Sequence, residues 1–212
     1  AASITRDIVS GVLASLNMDD PKSEIAKINR VADTVRLQVS LNTFRVIDLA
    51  KHGAEATGGA YDFTLGQLGQ LWGFGGPAPA EAPSEDLLDA TRAGVGHDNV
   101  QVFDQGSVAL TSSLTQVDVG DLKRPYAVDL GILEMRRRRM GPVLLRFGDS
   151  VRALGRRTSQ LPWSVPLPHP FQGTATVGEA DLDDLPALAM VRLYERSSTI
   201  QGKTYGHILD PR

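Results

Sequence analysis

The spacing of apolar positions changes along the chain, and each change marks an element. From Ser3, the residues Ile4, Ile8, Val12, Leu13 and Leu16 recur at helical spacing, which predicts one amphipathic helix ending near Asn17-Met18. The same spacing returns through Leu41, Phe44, Ile47, Ala50 and Ala54, with Ser40 as an N-cap and Gly58-Gly59 as the stop. Thr57 to Leu71 then reads as a loop or short element carried by that helix. The prolines and alanines of residues 75–83 predict an exposed connector. It delivers the chain to Ser84, where Glu85 and Asp86 suit the first turn of a short helix stopping at Gly94.

Beyond Gly94 alternation takes over. Val100 to Phe103 and Val108 to Thr111 flank the polar turn Asp104-Gln105-Gly106-Ser107 and predict a hairpin. Pro125 suits a first helical position, and Tyr126, Val128, Leu130, Leu133 and Met135 continue a helix that Gly141 stops. Val143 to Phe147 and Val151 to Leu154 read as strands around Gly148-Asp149, and a last extended segment carries Tyr205 to Leu209. Hairpins set among helices, with no internal repeat, favour an α+β fold over a doubly wound parallel sheet.

Composition narrows the chemistry more than the architecture. With 42% hydrophobic and 22% charged residues, the 212-residue chain is an ordinary globular sequence, forming one large domain or two packed halves. A net charge of -3 gives no general reason to expect nucleic acid or an anionic membrane as partner. The absence of cysteine excludes disulfides, thiolate metal sites and cysteine nucleophiles. No apolar run approaches the ~20 residues of a membrane helix, and no basic start with an apolar centre marks a signal segment. Arg136 to Arg139 reads as a solvated helix end favoured by the macrodipole. Gly73-Phe74-Gly75-Gly76 lacks the Gly-Lys-Ser/Thr ending of a phosphate loop.

Four segments carry more specific information. They are Ser23-Glu24-Ile25-Ala26-Lys27-Ile28-Asn29; Thr57 to Gly66 followed by Leu71-Trp72-Gly73-Phe74-Gly75; Val117 to Asp129; and Tyr205-Gly206-His207-Ile208-Leu209-Asp210-Pro211-Arg212. Taken alone, Thr57-Gly58-Gly59-Ala60-Tyr61-Asp62-Phe63-Thr64 reads as a helix C-cap and tight turn in which Asp62 bonds its own backbone. The other reading is a close backbone approach to a bulky ligand, with Asp62 accepting hydrogen bonds from ribose or adenine groups. Together the four segments resemble the ApbE family of FAD:protein FMN transferases, whose runs are Ser-Glu-Ile with a following Asn, Thr-Gly-Gly-Ala-Phe-Asp-Pro-Thr with Leu-Trp-Gly-Phe, Asp-Leu-Gly-Gly-Ile-Ala-Lys-Gly-Tyr-Ala-Val-Asp, and Tyr-Ser-His-Ile-Ile-Asp-Pro-Arg.

The third segment departs from its family run at the centre, where Asp121, Leu122, Lys123, Arg124 and Pro125 replace Gly/Ala-Ile-Ala-Lys-Gly. The family lysine falls on Arg124, which keeps the charge but not the point-like geometry. Arg146-Phe147-Gly148-Asp149 stands where a Gly-Gly-Asp or Gly-Gly-Asn turn is usual. Met190 to Glu195 stands where Thr-Ser-Gly-Asp-Tyr-Glu is usual.

The resemblance implies an α+β, T-fold-like architecture with mixed or antiparallel sheets and packed helices, and a single domain over 1–212 that is incomplete at both ends. It implies transfer of the FMN portion of FAD to a Thr or Ser hydroxyl of a flavin-acceptor protein, releasing AMP. Two alternatives stand beside it: a non-catalytic FAD-binding relative, and an assembly partner that has lost the cofactor. The flavin nucleotide would be held by Glu24, Ala60, Tyr61, Asp62, Thr64, Arg124 and His207. Magnesium would be held by Asp210 and the main-chain carbonyl of Asp121, and the continuation Thr-Gly is expected after Arg212. His207 is the better proton acceptor of the pair His207 and Asp210, since its ordinary pKa lies near neutrality and a metal-bound carboxylate is a poor base. The family also implies a location in the periplasm or on the outer face of the cytoplasmic membrane, with a possible lipid anchor in a preceding N-terminal region.

Overall fold

Three serines start three helices in the computed structural model, which describes residues 2–31, 35–193 and 197–211. After helix α1 (Ala2–Ser15), the Ser23 hydroxyl accepts the Ala26 N–H at 2.9 Å and opens α2 (Glu24–Arg30). Strand β1 (Leu37–Gln38) leads to Ser40, which caps α3 (Leu41–Ala56) through the Thr43 N–H. A short α4 (Gly66–Leu71) follows, and beyond the predicted connector Ser84 caps α5 (Glu85–Arg92) through the Leu87 N–H. In each case a side-chain oxygen satisfies one of the N–H groups that a helix start leaves without an intrahelical acceptor. The predicted hairpin is β2 (Val100–Phe103) and β3 (Ser107–Leu110), with β1 added antiparallel to β3.

The helix predicted from Pro125 begins five residues earlier, as α6 (Gly120–Arg137). Its first N–H groups have acceptors without any help from proline. The Asp118 carboxylate accepts the Gly120 N–H at 2.8 Å, and the Asp121 carboxylate accepts those of Asp121 and Leu122. Pro125 therefore lies inside the helix, where it removes one ladder bond.

Strands β4 (Val143–Phe147) and β5 (Ser150–Leu154) pair as predicted, and β8 (Ala187–Ala189) joins β5. Between them β6 (Trp163–Pro168) and β7 (Thr176–Leu182) form a separate two-stranded ribbon. The chain ends on the hairpin β9 (Ser197–Ile200) and β10 (Lys203–Gly206). The extended segment expected through Leu209 thus stops being a strand at Gly206. Every strand pair is antiparallel, and one isolated parallel bridge joins Leu65 to Gln116. Among the described residues no helix is long and apolar enough to cross a membrane.

The chain divides into two compact units. The α-rich unit, Val12–Leu122 with Glu195–Arg212, buries Leu16, Ile25, Ile28, Val46, Ile47, Phe63, Val108, Leu110 and Val117. The β-rich unit, Ala1–Gly11 with Lys123–Tyr194, has a smaller sheet core of Val151, Ala153, Val165 and Leu182, flanked by Leu144, Trp163 and Leu188. Tyr194 and Glu195 of the altered family segment, and Arg212, lie outside the described residues.

Candidate active site

The loop after α3 is shaped by its glycines. Gly58 and Gly59 adopt φ of 59° and 79°, and the Gly59 N–H reaches back to the Ala54 carbonyl at 2.9 Å, closing the helix as a left-handed C-terminal cap does. The Thr57 hydroxyl donates to the Gly53 carbonyl at 2.9 Å and accepts the Tyr61 N–H at 3.1 Å, folding the loop back over the helix. The Tyr61 ring then lies across Gly53, where an added methyl would meet it at 3.4 Å. Ala60 is exposed at the tip of this turn.

Asp62 is 8% exposed and bonded to protein donors through both carboxylate oxygens. One carboxylate oxygen accepts the Thr64 N–H at 2.8 Å and the Thr64 hydroxyl at 2.5 Å; the other accepts the His97 N–H at 3.0 Å. Thr64 in turn accepts the Gly96 N–H at 2.8 Å. Both residues therefore fix the loop against the turn at Gly96 and His97. This is the local bonding that the segment read alone suggests, extended to a second segment 35 residues away.

From this loop the chain reaches the start of α6. The Phe63 carbonyl accepts the Asp118 N–H at 2.7 Å, and the Gly66 N–H donates to the Gln116 carbonyl at 3.2 Å. Asn29 holds the same strand of chain from the other direction, donating to the Val117 carbonyl at 2.9 Å and accepting its N–H at 2.8 Å. Sequence reasoning placed Asn29 in a motif without giving it this task. Its side-chain amide, matching a backbone donor and acceptor at once, is the signal that was available.

These bonds gather Tyr61, Asp118 and Asp121 into one electrostatic neighbourhood. Burial pushes the Tyr61 phenol well above its ordinary range, and the nearby Asp121 and Asp118 carboxylates push it further. Its hydroxyl faces Asp121 but completes no hydrogen bond of ordinary geometry. Loss of water around it also raises the Asp121 carboxyl, with the Asp118 charge second, even though Asp121 keeps solvent access. Pro125 adds a feature of the backbone. Residue 125 would donate to the Asp121 carbonyl in a regular helix, and proline has no N–H, so that oxygen lacks its ladder donor.

Glu24 stands apart from this neighbourhood. Burial pushes its carboxyl up, but bonds from the Ser40 hydroxyl, the Thr43 hydroxyl and the Ser40 N–H outweigh that and hold it below its ordinary value. It fastens α2 to the start of α3; Thr43 lies ten residues, about 15 Å along the helix, from the Gly53 that carries Tyr61. The C-terminal segment is held to α4 by Tyr205, whose ring packs on Trp72 with centroids 4.6 Å apart, while the Lys203 ammonium sits 4.9 Å over the same tyrosine. His207, half-buried, and Asp210, exposed, follow from that anchor. In the β-rich unit, the exposed Arg124 rests its side chain on the Gly148 turn, where a methyl would meet it at 3.2 Å.

Among the described residues no three His, Asp or Glu side chains converge as a metal cage. The oxygen donors that the resemblance assigns to a cation are the Asp121 carbonyl, relieved of its ladder bond, and the exposed Asp210 carboxylate. Magnesium keeps several waters and takes one or two carboxylates, so a donor set of this kind fits it.

The sequence pattern of the ApbE family matches residues 2–212. The FAD:protein FMN transferase of Vibrio cholerae is 27% identical over 89% of this chain and 57% of its own length. That of Klebsiella pneumoniae is 26% identical over 93% of this chain and 60% of its own. The chain thus spans about three fifths of the length of these relatives. Among solved structures, the ApbE protein of Thermotoga maritima superposes with a TM-score of 0.87 at 26% identity, over 99% of this chain and 68% of that one. The apo flavinyl transferase ApbE of Pseudomonas stutzeri, at 22% identity, shares the fold with a TM-score of 0.81 over 100% of this chain and 66% of that one. With the α+β architecture and the four motif segments on the same backbone, the chain belongs to the ApbE family.

Proposed function

We propose that this chain transfers the FMN moiety of FAD to a Thr or Ser hydroxyl of a partner protein, with magnesium as cofactor and AMP as the other product. The observation that carries the reading is the joining of the Thr57–Thr64 loop to the Asp118–Asp121 turn through the bond between Asp118 and Phe63. It gives a preshaped backbone surface with Tyr61 and two carboxylates beside it, where a nucleotide and a cation can be held together. The relatives named above for this reaction support it.

In the transfer the acceptor hydroxyl oxygen bonds to the flavin-side phosphorus, the pyrophosphate bridge breaks, and AMP leaves with the bridging oxygen. The hydroxyl proton goes to the imidazole of His207, the side-chain type most often used as a general base. Asp62 and Thr64 keep the loop in shape, and Ala60 and Tyr61 present its surface to the nucleotide. Glu24 fastens α2 to the start of α3 and contributes through that scaffold. Magnesium, held by the Asp121 carbonyl and Asp210, would neutralise charge growing on the phosphate oxygens. The periplasm or the outer face of the cytoplasmic membrane, with a lipid anchor on the whole protein, is the location we propose with this activity.

The test is incubation of the full chain with FAD, Mg²⁺ and a flavin-acceptor protein. The expected result is flavin fluorescence retained on the denatured acceptor together with AMP. Asp210→Asn removes one negative charge at constant shape, so transfer is expected to fall by orders of magnitude and the magnesium requirement to rise, with little change in thermal midpoint. Unchanged transfer at limiting magnesium removes Asp210 from the site. FAD binding without product would favour a non-catalytic relative, for which the replacements at Asp121 and Pro125 are the motive. A thermal midpoint that saturating FAD leaves unmoved would point to an assembly partner, because a ligand selective for the native state must stabilise it.

A further inference from the structure

The two edges of the β6–β7 ribbon are not equivalent. Pro166 stands opposite Glu179, and Ser164 opposite Asp181. Proline has no N–H to give the ladder, so the Pro166–Glu179 pair is one whose backbone groups turn outward, and by alternation so is Ser164–Asp181. On the β6 side the outward positions are Ser164, Pro166 and, past the bulge at Leu167, Pro168. Two of these carry no donor, which blunts that edge. On the β7 side Glu179 and Asp181 both keep outward N–H groups, and among the described residues no further strand pairs with β7.

Charge decides what such an edge accepts. From Trp163 to Val191 the chain has Glu179, Asp181, Asp183 and Asp184 and no lysine or arginine. Only Asp183 is paired with an arginine among the described residues, with Arg156 at 2.8 Å. Six of the seven residues of β7 are exposed or half-exposed, including both acids of the outward pairs. A second copy of β7 laid along this edge would bring carboxylate against carboxylate, which is unfavourable across a strand pair, whereas lysine or arginine there would be favoured.

We propose that the outer edge of β7 takes up an extended, lysine- or arginine-bearing segment of a partner protein as an added strand. Under the function proposed above, that partner is the flavin acceptor, and the binding experiment makes no use of transfer, so either can fail without the other.

The probes are two fluorescent peptides long enough to lie along the seven residues of β7, one of alternating Val and Thr bearing lysines, the other with glutamates in their place. Titrated into the full chain, the lysine peptide should bind about tenfold or more tightly than the glutamate peptide and weaken as salt is added. Glu179→Pro blunts the outer edge as Pro166 blunts the other while sparing the β6–β7 ladder, and should cost about tenfold in affinity. The double variant Glu179→Lys/Asp181→Lys leaves every backbone donor in place and should reverse the preference between the peptides, which keeps the test open if the proline variant does not fold. Equal binding of both peptides, undiminished binding by folded Glu179→Pro, or an unreversed preference in the double variant overturns the proposal. So does self-association that Glu179→Pro abolishes in a chain that takes up neither peptide.

Discussion

The loop between α3 and α4 and the ribbon of β6 and β7 are both built around turns, yet they are held by opposite means. In the loop, side chains do most of the fastening: Thr57, Asp62 and Thr64 bond backbone groups, and Asn29 holds the neighbouring segment, whose Asp118 N–H donates to the Phe63 carbonyl. Beneath it Phe63 is 1% exposed in the core of the α-rich unit. The ribbon has its own ladder, one small core and a tip where Phe171 is 87% exposed. A region fixed by side-chain bonds to backbone keeps its shape whatever passes over it, which suits the nucleotide surface proposed for it. A region held chiefly by its own ladder, with only Val165 and Leu182 fully in a core, leaves most of its outer face and one edge for something else.

Substitutions break or sharpen this contrast in a definite order. Phe63→Ala should cost about 3–5 kcal/mol in denaturant unfolding, through lost burial and the cavity left behind. Asn29→Ala should cost about 2–4 kcal/mol, since it leaves both backbone groups of the buried Val117 without their partner. It should also reduce the thermal shift given by FAD, which a change confined to the ribbon would not. Glu24→Gln should cost about 1 kcal/mol at neutral pH, discounted for partial exposure. The folded carboxyl of Glu24 lies below its ordinary value of 4.5, so its contribution is whole above that pH and is lost as pH falls through the folded value. The gap between wild type and Glu24→Gln should therefore close below about pH 4.5 in thermal melts and stay constant above it. Phe171→Ser, at the ribbon tip, should change stability by less than about 0.5 kcal/mol. A large loss there would mean that the tip is packed in solution and that the contrast fails.

Where local chemistry decides an element, the sequence was enough to find it. Ser40 and Ser84 as caps, Gly58-Gly59 as a stop and the turn at Gly106 all act within a few residues of themselves, and each lies where the pattern put it. The ribbon was invisible because its strands are interrupted by Pro166 and Pro168 and stabilised by partners that alternation does not reveal. The start of α6 was misplaced for a related reason: proline is commonest at a first helical position, and here the carboxylates of Asp118 and Asp121 had already satisfied the first turn. At the candidate site, residue types were legible and their assignments were not. Asp62 looked like a ligand-facing carboxylate and also like a turn residue; its bond to His97 depends on where a segment 35 residues later comes to rest.

The clasp between Asn29 and Val117 spans 88 residues, and that separation sets an order of assembly during synthesis. The contacts of Glu24 with Ser40 and Thr43 span at most 19 residues and are available soon after α3 has left the ribosome. Until Val117 and Asp118 emerge, Asn29 has nothing to grip and the Phe63 carbonyl has no donor from the far side. A nascent chain therefore carries its helices well before it carries the surface proposed for the nucleotide. The glycine-rich turn, though encoded in the first third of the chain, waits for the middle third to become a site.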